Sequence, residues 1–223
     1  MNRLVEKYDR IRIINLPDRG DRRREMSREI ARLGMELDSS SFFPAFRPSD
    51  RGPFPTVGAH GCFLSHAGIV AEAAKAGQSV LILEDDCSFY PLAKHIDPPD
   101  CDILYGGWNE KSEDGEFVIG AHCMGFSAPA VQTLHHYLAD FVTGPADRKA
   151  MAEPGFDPAI KPGIDGAYVW FRRAHPELSS AFVALSYQRS SRSDVTPGKF
   201  DQVHWLRTPL YLVRHLRSGF RAR

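Results

Sequence analysis

The sequence predicts an α/β domain built on a mostly parallel central sheet flanked by helices, with antiparallel additions in its second half. Three observations carry this. In the first half, short apolar runs alternate with stretches of helical period, the order that builds parallel sheets. Residues 80–83, Val-Leu-Ile-Leu, are apolar without alternation, as in a strand buried on both faces. Later in the chain, residues 117–119 and 122–127 form short strand-like runs close together.

The elements follow in order. Residues 11–16 (Ile-Arg-Ile-Ile-Asn-Leu) read as a first strand, running into the turn-rich 17–21. A helix follows with Asp21 as its expected N-cap, an apolar face of Met26, Ile30 and Leu33, and a stop at Gly34. A short strand is expected at 41–44 and a Pro- and Gly-rich loop at 47–55, near the presumed ligand edge. Residues 58–76 read as a helix with Phe63, Ala67, Val70 and Ala74 on one face, ending at Gly77. Small residues crowd its first half, which implies close approach by a backbone or a ligand. The buried strand 80–83 comes next, then a strand at 102–107. Pro129 is expected to open a helix whose buried face is Val131, Leu134, His135 and Leu138. Residues 143–162 read as loop, 164–173 as a helix with Asp165 in its first turn, 180–185 as a last strand, and 187–200 as a polar turn.

The chain of 223 residues is long enough for one domain with a full core and a short tail, expected at 1–204 and 205–223. Its 43% hydrophobic and 25% charged residues are ordinary for a globular protein, and a formal net charge of zero gives no overall pull toward nucleic acid. Cys62, Cys87, Cys101 and Cys123 lack the spacing of a zinc knuckle or a redox pair, so they read as reduced, mostly buried thiols in a reducing compartment. No apolar run approaches the roughly 20 residues that span a bilayer, and the charged residues 1–8 lack a signal-peptide core, so a cytoplasmic protein is expected.

Chemistry concentrates after residue 83. Glu84, Asp85 and Asp86 follow the buried strand directly. Three adjacent acids there repel one another and cannot all be buried unpaired, so something cationic is expected beside them. Strand carboxyl ends are where open α/β sheets bind ligands, and a divalent cation completed by a diphosphate would suit the place. The alternative is a solvated acidic turn. Asn15, Arg19 and Arg22 sit where a base, ribose or phosphate would lie, or else form a solvated helix start. His60 and His66 read as hydrogen-bonded structural residues or as site residues.

In this order the motifs resemble glycosyltransferase family 25, the lipopolysaccharide and lipooligosaccharide galactosyltransferase group. They are Ile14-Asn15-Leu16 with Arg19, Asp21 and Arg22; residues 58–66, Gly-Ala-His-Gly-Cys-Phe-Leu-Ser-His; residues 80–86, Val-Leu-Ile-Leu-Glu-Asp-Asp; and residues 125–134 with Ile164-Asp165 after them. The second and third together are the specific pair. The resemblance implies a GT-A-like fold and inverting transfer from a nucleotide-sugar donor, commonly UDP-linked, to a glycan or glycolipid acceptor. It implies a Mn2+ (or Mg2+) ion at Glu84 and Asp86, donor contacts from Asn15, Leu16, Arg19, Arg22, His66 and Asp85, and Asp165 as the base. Glu-Asp-Asp departs from a strict Asp-x-Asp, and the region after Asp165 matches poorly, although Gln188 and Ser193-Asp194 resemble the Gln/Ser-Asp segment that follows the last strand in relatives. Two other readings are a non-catalytic nucleotide-sugar-binding or partner protein that keeps the fold, and a two-metal phosphatase or nucleotidyltransferase. The second of these lacks a phosphate-cradling glycine loop. Residues 205–223 carry five arginines counted from 207 and no acid. They read either as a basic amphipathic segment for an anionic membrane surface, at the inner face of the inner membrane, or as a terminal helix packed on the domain with its arginines in water.

Overall fold

The computed structural model describes residues 3–34 and 39–189. Its elements are α1 (Arg3–Glu6), β1 (Arg10–Asn15), α2 (Gly20–Arg32), β2 (Phe42–Pro44), α3 (Val57–Ala76), β3 (Val80–Glu84) and β4 (Cys87–Phe89). There follow β5 (Ile103–Gly107), β6 (Glu110–Lys111), β7 (Val118–Ile119), β8 (Cys123–Phe126), α4 (Ala128–Phe141), α5 (Arg148–Met151), α6 (Ile164–Ala174), β9 (Ser180–Phe182) and β10 (Ser186–Gln188).

Six strands form the central sheet in the order β2-β1-β3-β8-β5-β9. The β1–β2, β1–β3 and β5–β9 pairs are parallel, and β8 runs antiparallel between β3 and β5. This is the expected mixed α/β sheet, with its antiparallel member contributed by the second half. Because β8 is reversed, its first residues meet the last residues of β3, with Leu83 opposite Cys123.

Side-chain alternation along β3 builds two cores. Val80 and Ile82 join Phe63, Ile69, Val70, Leu134, Tyr168 and Phe171 on the side of α3, α4 and α6. Leu81 and Leu83 join Met26, Ile30 and Leu33 on the side of α2. All four strand residues are fully buried, and each contributes roughly 1.5–3 kcal/mol of apolar burial.

Several boundaries differ from expectation. Arg19, not Asp21, precedes α2, and Asp21 lies inside the first turn, where the Arg19 guanidinium takes both of its carboxylate oxygens at 3.0 Å. Ser127 caps α4 by accepting from Ala130 N, so Ala128 opens the helix and Pro129 is its second residue. The loop 143–162 contains the short α5, capped by Asp147. Residues 186–188 are strand rather than turn, because β10 pairs antiparallel with β4. The crowding of small residues in α3 is explained by backbone: a Cβ on Gly61 would stand 2.6 Å from the Phe46 carbonyl oxygen, so the 43–48 segment needs a glycine there. The basic segment 205–223 lies outside the described residues. Among the described residues, no helix is long and apolar enough to cross a membrane.

Candidate active site

β3 decides where each acid goes. Period-two alternation sends Glu84 to the same side as Val80 and Ile82, toward α3, and Asp85 to the side of Leu81 and Leu83, toward α2. The acid turn is not solvated: Asp85 is 7% exposed and Asp86 6%.

On the α2 side the residues form a closed clamp. Asn15 Nδ2 donates to Asp85 Oδ2 at 2.8 Å, and Arg22 Nη1 donates to Asp85 Oδ1 at 2.5 Å. Arg22 Nη1 also lies 3.6 Å from Asp86 Oδ2. The cation expected beside the acids is therefore present in the chain itself as Arg22, which is buried rather than a solvated helix start. Burial raises the Asp85 pKa, and Arg22 and Asn15 offset only part of that. Arg19 and Leu16 lie at the same sheet edge, half-buried, with Leu16 O accepting from Arg19 N.

On the α3 side the groups are less satisfied. Cys62 and His66 are one helical turn apart on α3 and both face Glu84. His66 is fully buried; its Nδ1 shares a 2.8 Å hydrogen bond with the Tyr168 hydroxyl, while Nε2 has no hydrogen-bond partner. Glu84 Oε1 lies 3.6 Å from His66 Nε2 and 3.7 Å from Cys62 Sγ. Burial works against ionisation of Glu84, but His66 and then His122 outweigh it and hold the carboxyl below its usual range. Burial and then Glu84 push the Cys62 thiol well up.

Asp86 lies between these sides. Its Oδ2 accepts from Gln188 Nε2 at 3.2 Å, whereas Oδ1 is buried with no partner. Burial, then the neighbouring Glu84 charge, lift its pKa to about 7. An orphaned, buried carboxylate oxygen next to a second carboxylate is a donor set that fits a hard divalent cation. Asp165, in the first turn of α6, is half-buried and held by two backbone donors, Gly120 N at 3.2 Å and Gly166 N at 2.9 Å. It lies within electrostatic reach of Cys62.

The structure thus gathers Asn15, Leu16, Arg19, Arg22, His66, Glu84, Asp85, Asp86 and Asp165 around one edge of the sheet. His60 does not join them: its Nδ1 bonds the Asp50 carbonyl at 2.9 Å. Two residues, His122 and Arg189, were not anticipated; Gln188 is singled out in the sequence together with Ser193-Asp194, which lie outside the described residues. His122 is 1% exposed beside Glu84, and neither ring nitrogen makes a hydrogen bond within the usual geometric limits. Its ring packs on Gly107, where a Cβ would come within 2.2 Å of His122 Nε2. Gln188 carries the Asp86 contact on β10. Arg189 wraps the turn, donating from Nη2 to Asp85 O at 2.7 Å and from Nη1 to Cys87 O at 3.2 Å and Ser88 Oγ at 3.1 Å.

Comparison with known proteins agrees with the motifs. No family model matches the chain. A Drosophila melanogaster protein described as a glycosyltransferase 25 family member is 32% identical over 142 residues, covering 50% of this chain and 23% of that protein. An Aedes aegypti protein of the same description is 29% identical over 161 residues, 58% of this chain and 26% of that protein. The chain thus spans about a quarter of the length of the curated relatives it matches. Among solved structures, a glycosyltransferase involved in glycosylation of the major capsid of PBCV-1 aligns over 80% of this chain and 93% of its own, with 16% identity and a TM-score of 0.39.

Proposed function

We propose that this chain, which is similar over about half its length to two curated glycosyltransferase 25 family members, is a metal-dependent inverting glycosyltransferase of that family. The donor is a nucleotide sugar, a UDP-linked hexose such as galactose, and the acceptor a bacterial surface glycan. The observation that supports this most is Asp86: a buried carboxylate with one unpartnered oxygen, beside Glu84, at the carboxyl edge of the sheet.

In this reading Glu84 and Asp86 hold Mn2+ or Mg2+. When bound, such an ion supplies positive charge to a departing diphosphate. Asn15, Leu16, Arg19, Arg22, His66 and Asp85 shape the donor side. Asp85 acts there through the residues it clamps, because both of its oxygens are already taken. Arg22 keeps its direction through that clamp, and Gln188 holds one oxygen of Asp86. Asp165 is the base. Each of its oxygens accepts one backbone N–H, which orients the carboxylate and leaves a lone pair on each for an acceptor hydroxyl proton.

The test is calorimetry of UDP binding with manganese and with EDTA, followed by transfer assays on a nucleotide-sugar panel. Manganese-dependent binding is expected and should be lost in Asp86→Asn; equal affinity in EDTA sinks the metal assignment. Asp165→Asn should keep donor affinity within a few-fold and cut transfer roughly 10²-fold or more. Donor binding without turnover or donor hydrolysis on any sugar of the panel would favour the non-catalytic binding protein. For the basic segment, sedimentation with anionic vesicles at low and high salt is the measure; deletion of residues 205–223 should abolish salt-sensitive binding.

A further inference from the structure

The geometry points to a second cation site on this edge, a zinc-type site made by Cys62 Sγ, His66 Nε2 and one oxygen of Glu84. These three ligand atoms all lie within 4.8 Å of one another. The two distances to Glu84 Oε1 are more specific: 3.6 Å from His66 Nε2 and 3.7 Å from Cys62 Sγ. A nitrogen and an oxygen at 3.6 Å are too far apart for a good hydrogen bond. Four-coordinate zinc with ordinary sulfur, nitrogen and oxygen bond lengths keeps its ligands roughly 3.3–3.6 Å apart, so both distances to Glu84 need only a small closure.

The second observation is the state of His66. It is fully buried, and its Nε2, aimed at Glu84, has no hydrogen-bond partner. Leaving such a group unpaired in the interior is unfavourable unless something binds it. Its other ring nitrogen is engaged by the Tyr168 hydroxyl, the outer contact that fixes ring orientation in histidine metal ligands. A route inward exists, since the Glu84 side chain is 23% exposed. One thiolate and one carboxylate balance a divalent charge, and binding sends the thiol proton to solvent. A thiolate, an imidazole and a carboxylate together select zinc or cobalt over Mn2+ and Mg2+. Three protein ligands leave the fourth position open to water or to an added group.

The site does not depend on the transferase reading; the two share Glu84, and also His66, which that reading places on the donor side. The probe is Co2+, added stoichiometrically to the chelator-treated full chain. A near-ultraviolet thiolate-to-cobalt charge-transfer band is expected, bleached by one equivalent of Zn2+. Cys62→Ser should lose the band, whereas Cys101→Ser and Asp86→Asn should keep it. Zinc-edge X-ray absorption on the unmodified protein guards against misfolding of Cys62→Ser and should count one sulfur at about 2.3 Å. No sulfur-to-cobalt band, a band that survives in Cys62→Ser, a band lost in Cys101→Ser, or a sulfur count other than one overturns the assignment. Loss of manganese-dependent UDP binding in Asp86→Asn with the cobalt band intact would separate this site from the one proposed for the donor.

Discussion

Glu84 and Asp85 are consecutive, yet they leave β3 toward opposite halves of the molecule and into opposite circumstances. Toward α2, Asp85 meets Asn15 and Arg22 at hydrogen-bonding distance with both oxygens occupied. Toward α3, Glu84 meets His66 and Cys62 at distances that leave His66 Nε2 unpartnered, with the unpartnered Asp86 Oδ1 nearby. The first half is built as a fixed support. The second keeps buried polar atoms in reserve, which proteins do at appreciable cost and mainly where something binds.

The comparison can be broken most forcefully at the support. Asp85→Ala takes from the buried Arg22 guanidinium its 2.5 Å partner, with Asp86 remaining 3.6 Å away, and breaking a buried pair from one side typically costs about 3–5 kcal/mol. Urea denaturation should show a loss of that order. A loss below about 1 kcal/mol, the scale of an exposed pair, would mean that the clamp is decorative.

A test of the reserve side uses pH. The Asp86 carboxyl keeps its proton in the folded state up to about 7, whereas in the unfolded chain it loses it near 3.8. Between those values the folded state holds more protons, so stability falls as pH rises through the window. The metal-free protein should show a falling melting temperature from about pH 4 to about 7, flattened in Asp86→Asn, after the opposing Glu84 contribution at lower pH. Glu84, held below its usual range, acts with the opposite sign and only below about 4.5. An unchanged slope in Asp86→Asn would assign the titration elsewhere. The smallest effect belongs to Gln188→Ala, which removes the hydrogen bond to Asp86 and an exposed one accepted from Asn109, and should cost about 1–2 kcal/mol in the same denaturation experiment.

Much of this division is written in the sequence. The parity of β3 alone sends Glu84 and Asp85 to different faces once Val80 and Leu83 are recognised as strand. Arg22 carries a further signal: it falls four and eight residues before Met26 and Ile30, on the apolar face of α2, which argues for burial over a solvated helix start. Cys62 and His66 share a face for the same reason. Their meeting with Glu84 is not legible, because it depends on how α3 packs over β3. Nor is the β4–β10 pair. Each strand has three residues, and almost a hundred positions separate them, so no local period reveals the match.

That late pairing has a consequence for the order in which the protein can be finished. Arg189 reaches back 104 positions to hold the carbonyl of Asp85. At roughly 5–20 residues per second, a ribosome takes on the order of 5–20 s to supply that donor after Asp85 has been made. During synthesis β1, α2 and β3 can assemble early and seat Asp85 against Arg22. The backbone beyond it stays open to water until the last described strand emerges, so the acid turn acquires its final shape only late in translation.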